Sequence, residues 1–196
     1  MTYKKTVLIS LFLFMFSSIT VQAAAKDYSN AAGGWTDDGI TIELALGADS
    51  EENGYYSRYL GMFIDDGECY SGVCATADID LHLINAGHHW TFSDNADFIV
   101  EGGYIGYEAN ARACASGYCS SETVDDSGYN IMAGFRTGNP EGIEFKILIG
   151  RGDVEDAFTM GQAEINYNFS PGWSAYLGLI HLDGDNQTTV GFKYDF

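Results

Sequence analysis

Apolar and polar residues alternate one by one along much of this chain, in segments of about ten residues. At 38–48, Ile40, Ile42, Leu44 and Leu46 fall on one face and Thr41, Glu43, Ala45 and Gly47 on the other. At 128–137, Tyr129, Ile131, Ala133 and Phe135 oppose Asn130, Met132, Gly134 and Arg136. At 143–151, Ile143, Phe145, Ile147 and Ile149 oppose Glu144 and Lys146. The cleanest case is 159–169, where Gly161, Ala163, Ile165, Tyr167 and Phe169 oppose Gln162, Glu164, Asn166 and Asn168. The last residues repeat it, with Val190, Phe192, Tyr194 and Phe196 against Thr189, Gly191, Lys193 and Asp195. Side chains alternate across a strand with period two, so each segment predicts a strand with one apolar and one polar face.

Three further segments complete the set. Residues 76–86 set Ile79, Leu81 and Leu83 against Asp78, Asp80 and His82. Residues 97–108 are glycine-rich, with Phe98, Val100 and Tyr104 opposing Glu101, and 174–182 reads as a strand before the last turn. The prediction is therefore all-β, an antiparallel up-and-down transmembrane β-barrel of eight strands over 38–196. Each strand is close to the 9–11 residues that cross a bilayer at a tilt. Short turns are expected at 86–96, 138–142 and 170–173, on the side of the chain ends. Loops are expected on the other side at 49–75, 109–127, 152–158 and 183–187, the first two long. Residues 24–37 read as a lead-in. Tyr55–Ile64 is a rival strand, set aside because Arg58 interrupts its apolar face.

Residues 1–23 have the form of a secretory leader: Lys4 and Lys5, an apolar run from Val7 to Phe16, then the small-residue cleavage pattern Val21-Gln22-Ala23. No later stretch approaches the roughly 20 apolar residues of a membrane helix. The formal net charge is −19, which excludes nucleic acid as a partner because that surface must be basic. Thirteen Tyr and 12 Phe argue against disorder, and 24 Gly with only 2 Pro suit continuous sheet.

The terminal strand resembles the last strand of Gram-negative outer-membrane barrels, in which alternating apolar residues and a final Phe form the assembly signal; here those are Phe192, Tyr194 and Phe196. With the leader and the architecture, the chain resembles the small eight-stranded barrels of the OmpA/OmpX type. That resemblance implies an outer-membrane location, contact with membrane lipid and lipopolysaccharide, and insertion by the outer-membrane assembly machinery. A monomer is expected.

The polar faces, placed inside such a barrel, gather Glu43, Asp78, Asp80, His82, Glu101, Arg136, Glu144, Lys146, Glu164 and Lys193. Eight strands enclose about enough room for side chains, so ion pairs and water are expected there rather than a channel. No nucleophile stands beside His82 or His181 in a hydrolytic pattern, so no catalytic residue is assigned. Neither a metal site nor a cofactor is expected. His88-His89-Trp90 reads as a turn pair beside an interfacial aromatic.

The most distinctive local pattern is C-x-S-G-x-C, which occurs twice, at Cys69–Cys74 and Cys114–Cys119. The Ser-Gly pair supplies a turn, and export favours disulfides. Four cysteines allow three pairings, and the spacing favours the two local ones. The functional expectation is an outer-membrane barrel with a structural or surface-interaction role through these loops. The alternatives are a small pore or outer-membrane enzyme using the inward polar groups, and a soluble periplasmic barrel holding an apolar ligand.

Overall fold

The computed structural model describes residues 28–47, 53–93, 95–139 and 141–196. The expected leader at 1–23 lies outside the described residues. Among these residues the chain forms ten strands: β1 Asn30–Trp35, β2 Gly39–Gly47, β3 Asn53–Tyr70, β4 Val73–Ser93, β5 Ala96–Ala115, β6 Tyr118–Gly138, β7 Ile143–Val154, β8 Asp156–Ser170, β9 Trp173–Leu182 and β10 Asp185–Asp195. Each pairs antiparallel with its sequence neighbours, and β1 pairs with β10 to close the barrel.

The count of eight is corrected to ten. Asn30–Trp35, expected within a lead-in, is β1 and lies between β2 and β10. The rival segment Tyr55–Ile64 is part of β3, paired to β2 on one side and β4 on the other. Arg58 does not interrupt an apolar outer face. It points into the lumen with Tyr56, Leu60 and Met62, all nearly inaccessible. The loops expected at 49–75 and 109–127 are also largely strand. Among the described residues of these segments only Ser71-Gly72 and Ser116-Gly117 turn, both residues of each pair at positive φ (50° and 84°, 51° and 84°). Two positive φ values in a two-residue connection match the twist of a hairpin, and glycine takes the second at no steric cost. The segment expected as a turn at 86–96 is mostly strand, since β4 runs to Ser93 and β5 starts at Ala96, and His88-His89-Trp90 belongs to β4.

β3 to β6 run 18 to 21 residues, whereas β1, β2, β9 and β10 run 6 to 11. At one end of the barrel, β2 stops beside Ile64 and β7 beside Tyr129. Beyond those points β3–β6 continue as a four-stranded sheet, roughly 20 Å or more above the rim at 3.3 Å per residue. The opposite end holds Tyr28 and Phe196, joined by the Phe196 amide donating to the Ser29 carbonyl at 3.0 Å.

The wall is inverted relative to a water-soluble domain. Ile147 and Ile149 on β7, Leu177 on β9 and Phe192 on β10 stand outward, 48–62% exposed. Inside, the lumen has two layers that follow directly from the alternating residues. From the terminal end upward, β7 contributes Glu144, Lys146 and then Leu148; β3 contributes Arg58, then Leu60 and Met62. The upper layer is an apolar cluster that includes Leu81, Leu83, Ile105, Met132, Met160 and Ile180.

Candidate functional site

Two regions concentrate polar chemistry, the lower lumen and the projecting sheet. In the lumen the centre is Arg58. Its guanidinium donates to both carboxylate oxygens of Glu101, to Glu43 Oε2 at 3.3 Å and to Gln162 Oε1 at 2.8 Å. Glu101 also accepts from the Tyr56 hydroxyl at 2.9 Å and the Asn85 amide at 3.1 Å. A second group joins Glu164 to Lys193 at 2.7 Å and Lys146 at 3.2 Å. Nearer the terminal end, Arg136 pairs with Glu144 at 2.9 Å and stands 5.2 Å from the Tyr28 ring. Tyr28 stacks on His89 and donates to Asp97 at 3.1 Å. Polar groups removed from water cost free energy unless they are paired, and this layer pairs its charges across seven strands.

Seven of the ten residues expected inside are there: Glu43, Glu101, Arg136, Glu144, Lys146, Glu164 and Lys193. Asp78, Asp80 and His82 are not. On β4 the alternation is the reverse of the expectation, with Leu81 and Leu83 inside at 5% and 2% exposure. The reason is the apolar upper layer, which takes the leucines and leaves the polar face of this segment outward. Asp78 is paired in register with Asp65 and Asn110, and Asp80 with Glu108. His82 lies on the outer wall, hydrogen-bonded through Nδ1 to the Tyr59 hydroxyl at 2.9 Å. Of the terminal aromatics, Phe192 is outward, while Tyr194 packs against Trp173 with ring centroids 4.8 Å apart. Arg58, Tyr56 and Asp97 were missed. Period-two spacing through Tyr56, Arg58, Leu60 and Met62 carried the signal for Arg58, but an apolar-facing rule read the charge as a break.

Among the described residues the lumen holds small spaces of about 20 Å³ beside Thr41 and Tyr176 and about 30 Å³ among Arg58, Lys146 and Lys193. Each has room for a water or two. The lumen so filled is a bracing core. Among the described residues no group of three or more His, Cys, Asp or Glu side chains is arranged to hold a metal ion.

In the projecting sheet, Cys69, Cys74, Cys114 and Cys119 lie opposite one another in a single row across β3–β6. Disulfides join Cys69 to Cys74 and Cys114 to Cys119, with Cα separations of 4.0 and 4.1 Å. Directly opposed residues on antiparallel strands alternate between close, non-hydrogen-bonded pairs and wider hydrogen-bonded ones. The two bonded pairs are the close kind. Cys74 and Cys114 then form the wide kind, which explains why the third neighbouring combination is not used.

No protein-family model matches the sequence, and no curated protein matches it. Among solved structures, the chain is similar to Ail, the attachment invasion locus protein of Yersinia pestis, at 11% identity over 85% of this chain and 93% of that one, with a TM-score of 0.47. It is similar to the NanC porin at 9% identity over 85% and 99%, TM-score 0.46. It is also similar to the translocator domain of autotransporter NalP from Neisseria meningitidis, at 16% identity over 85% and 68%, TM-score 0.45.

Proposed function

We propose that this protein is an integral outer-membrane barrel that conducts nothing and displays its β3–β6 sheet outside the cell for contact with other molecules. The observation that carries the reading is the outer wall. Large apolar side chains cover it on the short strands, while four of the six Lys and Arg among the described residues point into the lumen. A water-soluble protein rarely exposes contiguous apolar surface beyond a few hundred Å², and this wall greatly exceeds that. Charges inside and apolar groups outside is the distribution of a barrel in lipid. A closed barrel also leaves no backbone edge unpaired within the bilayer. The soluble ligand-binding alternative would require the reverse arrangement of faces.

The filled lumen favours surface contact over transport. The projecting sheet is the largest feature clear of the apolar wall, and its disulfides fix the hairpin tips. Membrane lipid and lipopolysaccharide contact the wall, and the assembly machinery of the outer membrane inserts the chain as a monomer. Cell fractionation with an unboiled gel tests this reading. The protein is expected in the outer-membrane fraction as a band that shifts on boiling. Recovery as a soluble periplasmic protein would overturn it.

A further inference from the structure

The faces of the projecting sheet differ sharply, because opposed residues in each row share a face. One face continues the lumen side: Ile64 and Tyr107 still pack against the core, and the row of Ile64 includes Ile79, Ala109 and Val124. Above that row the two central strands carry only small side chains on this face, Ala77 and Ala75 on β4, Ala111 and Ala113 on β5. The two flanking strands carry carboxylates beside them on the same face, Asp66 and Glu68 on β3 and Glu122 on β6, with Asp126 lower down in the row of Leu81 and Tyr107. At the tips stand Tyr70 and Tyr118, 84% and 85% exposed, and Val73 and Val124 are about half exposed. Every exposed large apolar side chain of the projecting sheet is therefore on this face. Arg112, the single base of the sheet, is on the other, in the row of Gly67, Thr76 and Ser121.

We propose that this face is a docking surface for a basic amphipathic α-helix; the inference rests on the reading that the sheet stands outside the membrane. Charge complementarity selects the partner. Asp66 and Glu68 border one side of an apolar aisle and Glu122 the other, so the partner needs an apolar stripe with Lys or Arg on both of its flanks. The dimensions select a helix. β3 and β6 are three strand spacings apart, roughly 14 Å, and a helix with its side chains is about 10–12 Å across. Val73–Ile79 spans about 20 Å, which matches roughly 13 residues of helix. A helix satisfies its own backbone, whereas an extended chain lying flat on a sheet face finds no partners for its amides. The alanines let the helix approach closely.

The test uses the full-length mature protein in nanodiscs of zwitterionic phosphatidylcholine, with empty discs as the blank. The probe is an 18-residue peptide of leucine and lysine with the leucines on one helical face. A scrambled peptide of the same composition is the comparison. One variant combines Asp66→Asn, Glu68→Gln and Glu122→Gln; a second removes the same charge from the opposite face with Asp65→Asn, Asp78→Asn and Asp125→Asn. The amphipathic peptide is expected to bind the protein above the blank, at least tenfold more weakly to the first variant and less than threefold more weakly to the second. The scrambled peptide is expected to bind at least tenfold more weakly. Equal losses in both variants, equal binding of the scrambled peptide, or binding no greater than to empty discs would overturn the inference alone. A chain that does not enter the discs as a heat-shifting barrel would overturn the membrane reading, and this inference with it.

Discussion

Arg58 shows how much one buried charge organises. Its guanidinium neutralises Glu43 and Glu101 together and also reaches Gln162. Removing one partner of a buried ion pair leaves the other charge uncompensated, at about 3–5 kcal/mol. Arg58→Met is expected to destabilise the barrel by about that amount in urea unfolding from lipid vesicles. Adding Glu101→Gln to Arg58→Met should recover part of the loss. If Arg58→Met unfolds at the wild-type midpoint, the lumen network does not brace the fold. On the outer wall the chemistry reverses. Ile147 faces outward at 49% exposure, and its neighbour Lys146 reaches Glu164. Ile147→Arg should cost about 2–4 kcal/mol if that position is near the bilayer midplane. A negligible cost in the same refolding assay would place this face in water.

At the scale of the elements, each hairpin disulfide closes a ring of only a few residues. By the loop-entropy relation it contributes roughly 2 kcal/mol through the unfolded chain. The barrel ladders do not depend on either ring, since β7–β10 and most of β3–β6 pair well away from the cysteine row. Replacing Cys69, Cys74, Cys114 and Cys119 by Ser is expected to preserve the heat-shifted band and to make the projecting sheet protease-sensitive. Loss of the shifted band would make the hairpins part of the folding unit. The sequence made most strands legible where large apolar and polar residues alternate, as in β2, β6, β7, β8 and β10. It hid β1, Asn-Ala-Ala-Gly-Gly-Trp, because four small residues carry no period. The structure supplies the reason at Gly34, where any side chain would collide with Thr189 and the Tyr176 hydroxyl. It also hid the upper parts of β3–β6. Above the rim both faces meet water, and Asp65, Glu68 and Glu122 read as loop composition although they occupy paired strands.

For the whole molecule, the two lumen layers act in series. Paired charges fill the lower half, and Leu83, Ile105, Met132 and Leu148, none above 4% exposed, fill the upper. An ion would have to displace both, so planar bilayers containing the protein are expected to show no stable conductance steps. Regular steps would mean that the lumen opens. The reading of the lumen from sequence succeeded for Glu164 and Lys193 because their strands lie wholly within the wall. It failed for Asp78, Asp80 and His82 because a rule that sends polar residues inward does not anticipate an apolar upper lumen. The side of the wall that meets lipid decides whether this barrel spans a membrane. Single cysteines at Ile147, Ile165 and Leu177, and one at Ser71, can be introduced into the four-serine background and labelled with a small fluorophore. The proteins are then reconstituted into vesicles, and quenching by brominated lipid is compared with quenching by iodide. Labels at the three wall positions should be quenched by lipid and shielded from iodide, and the label at Ser71 should show the opposite. Iodide quenching at the three wall positions, without lipid quenching, would contradict the account.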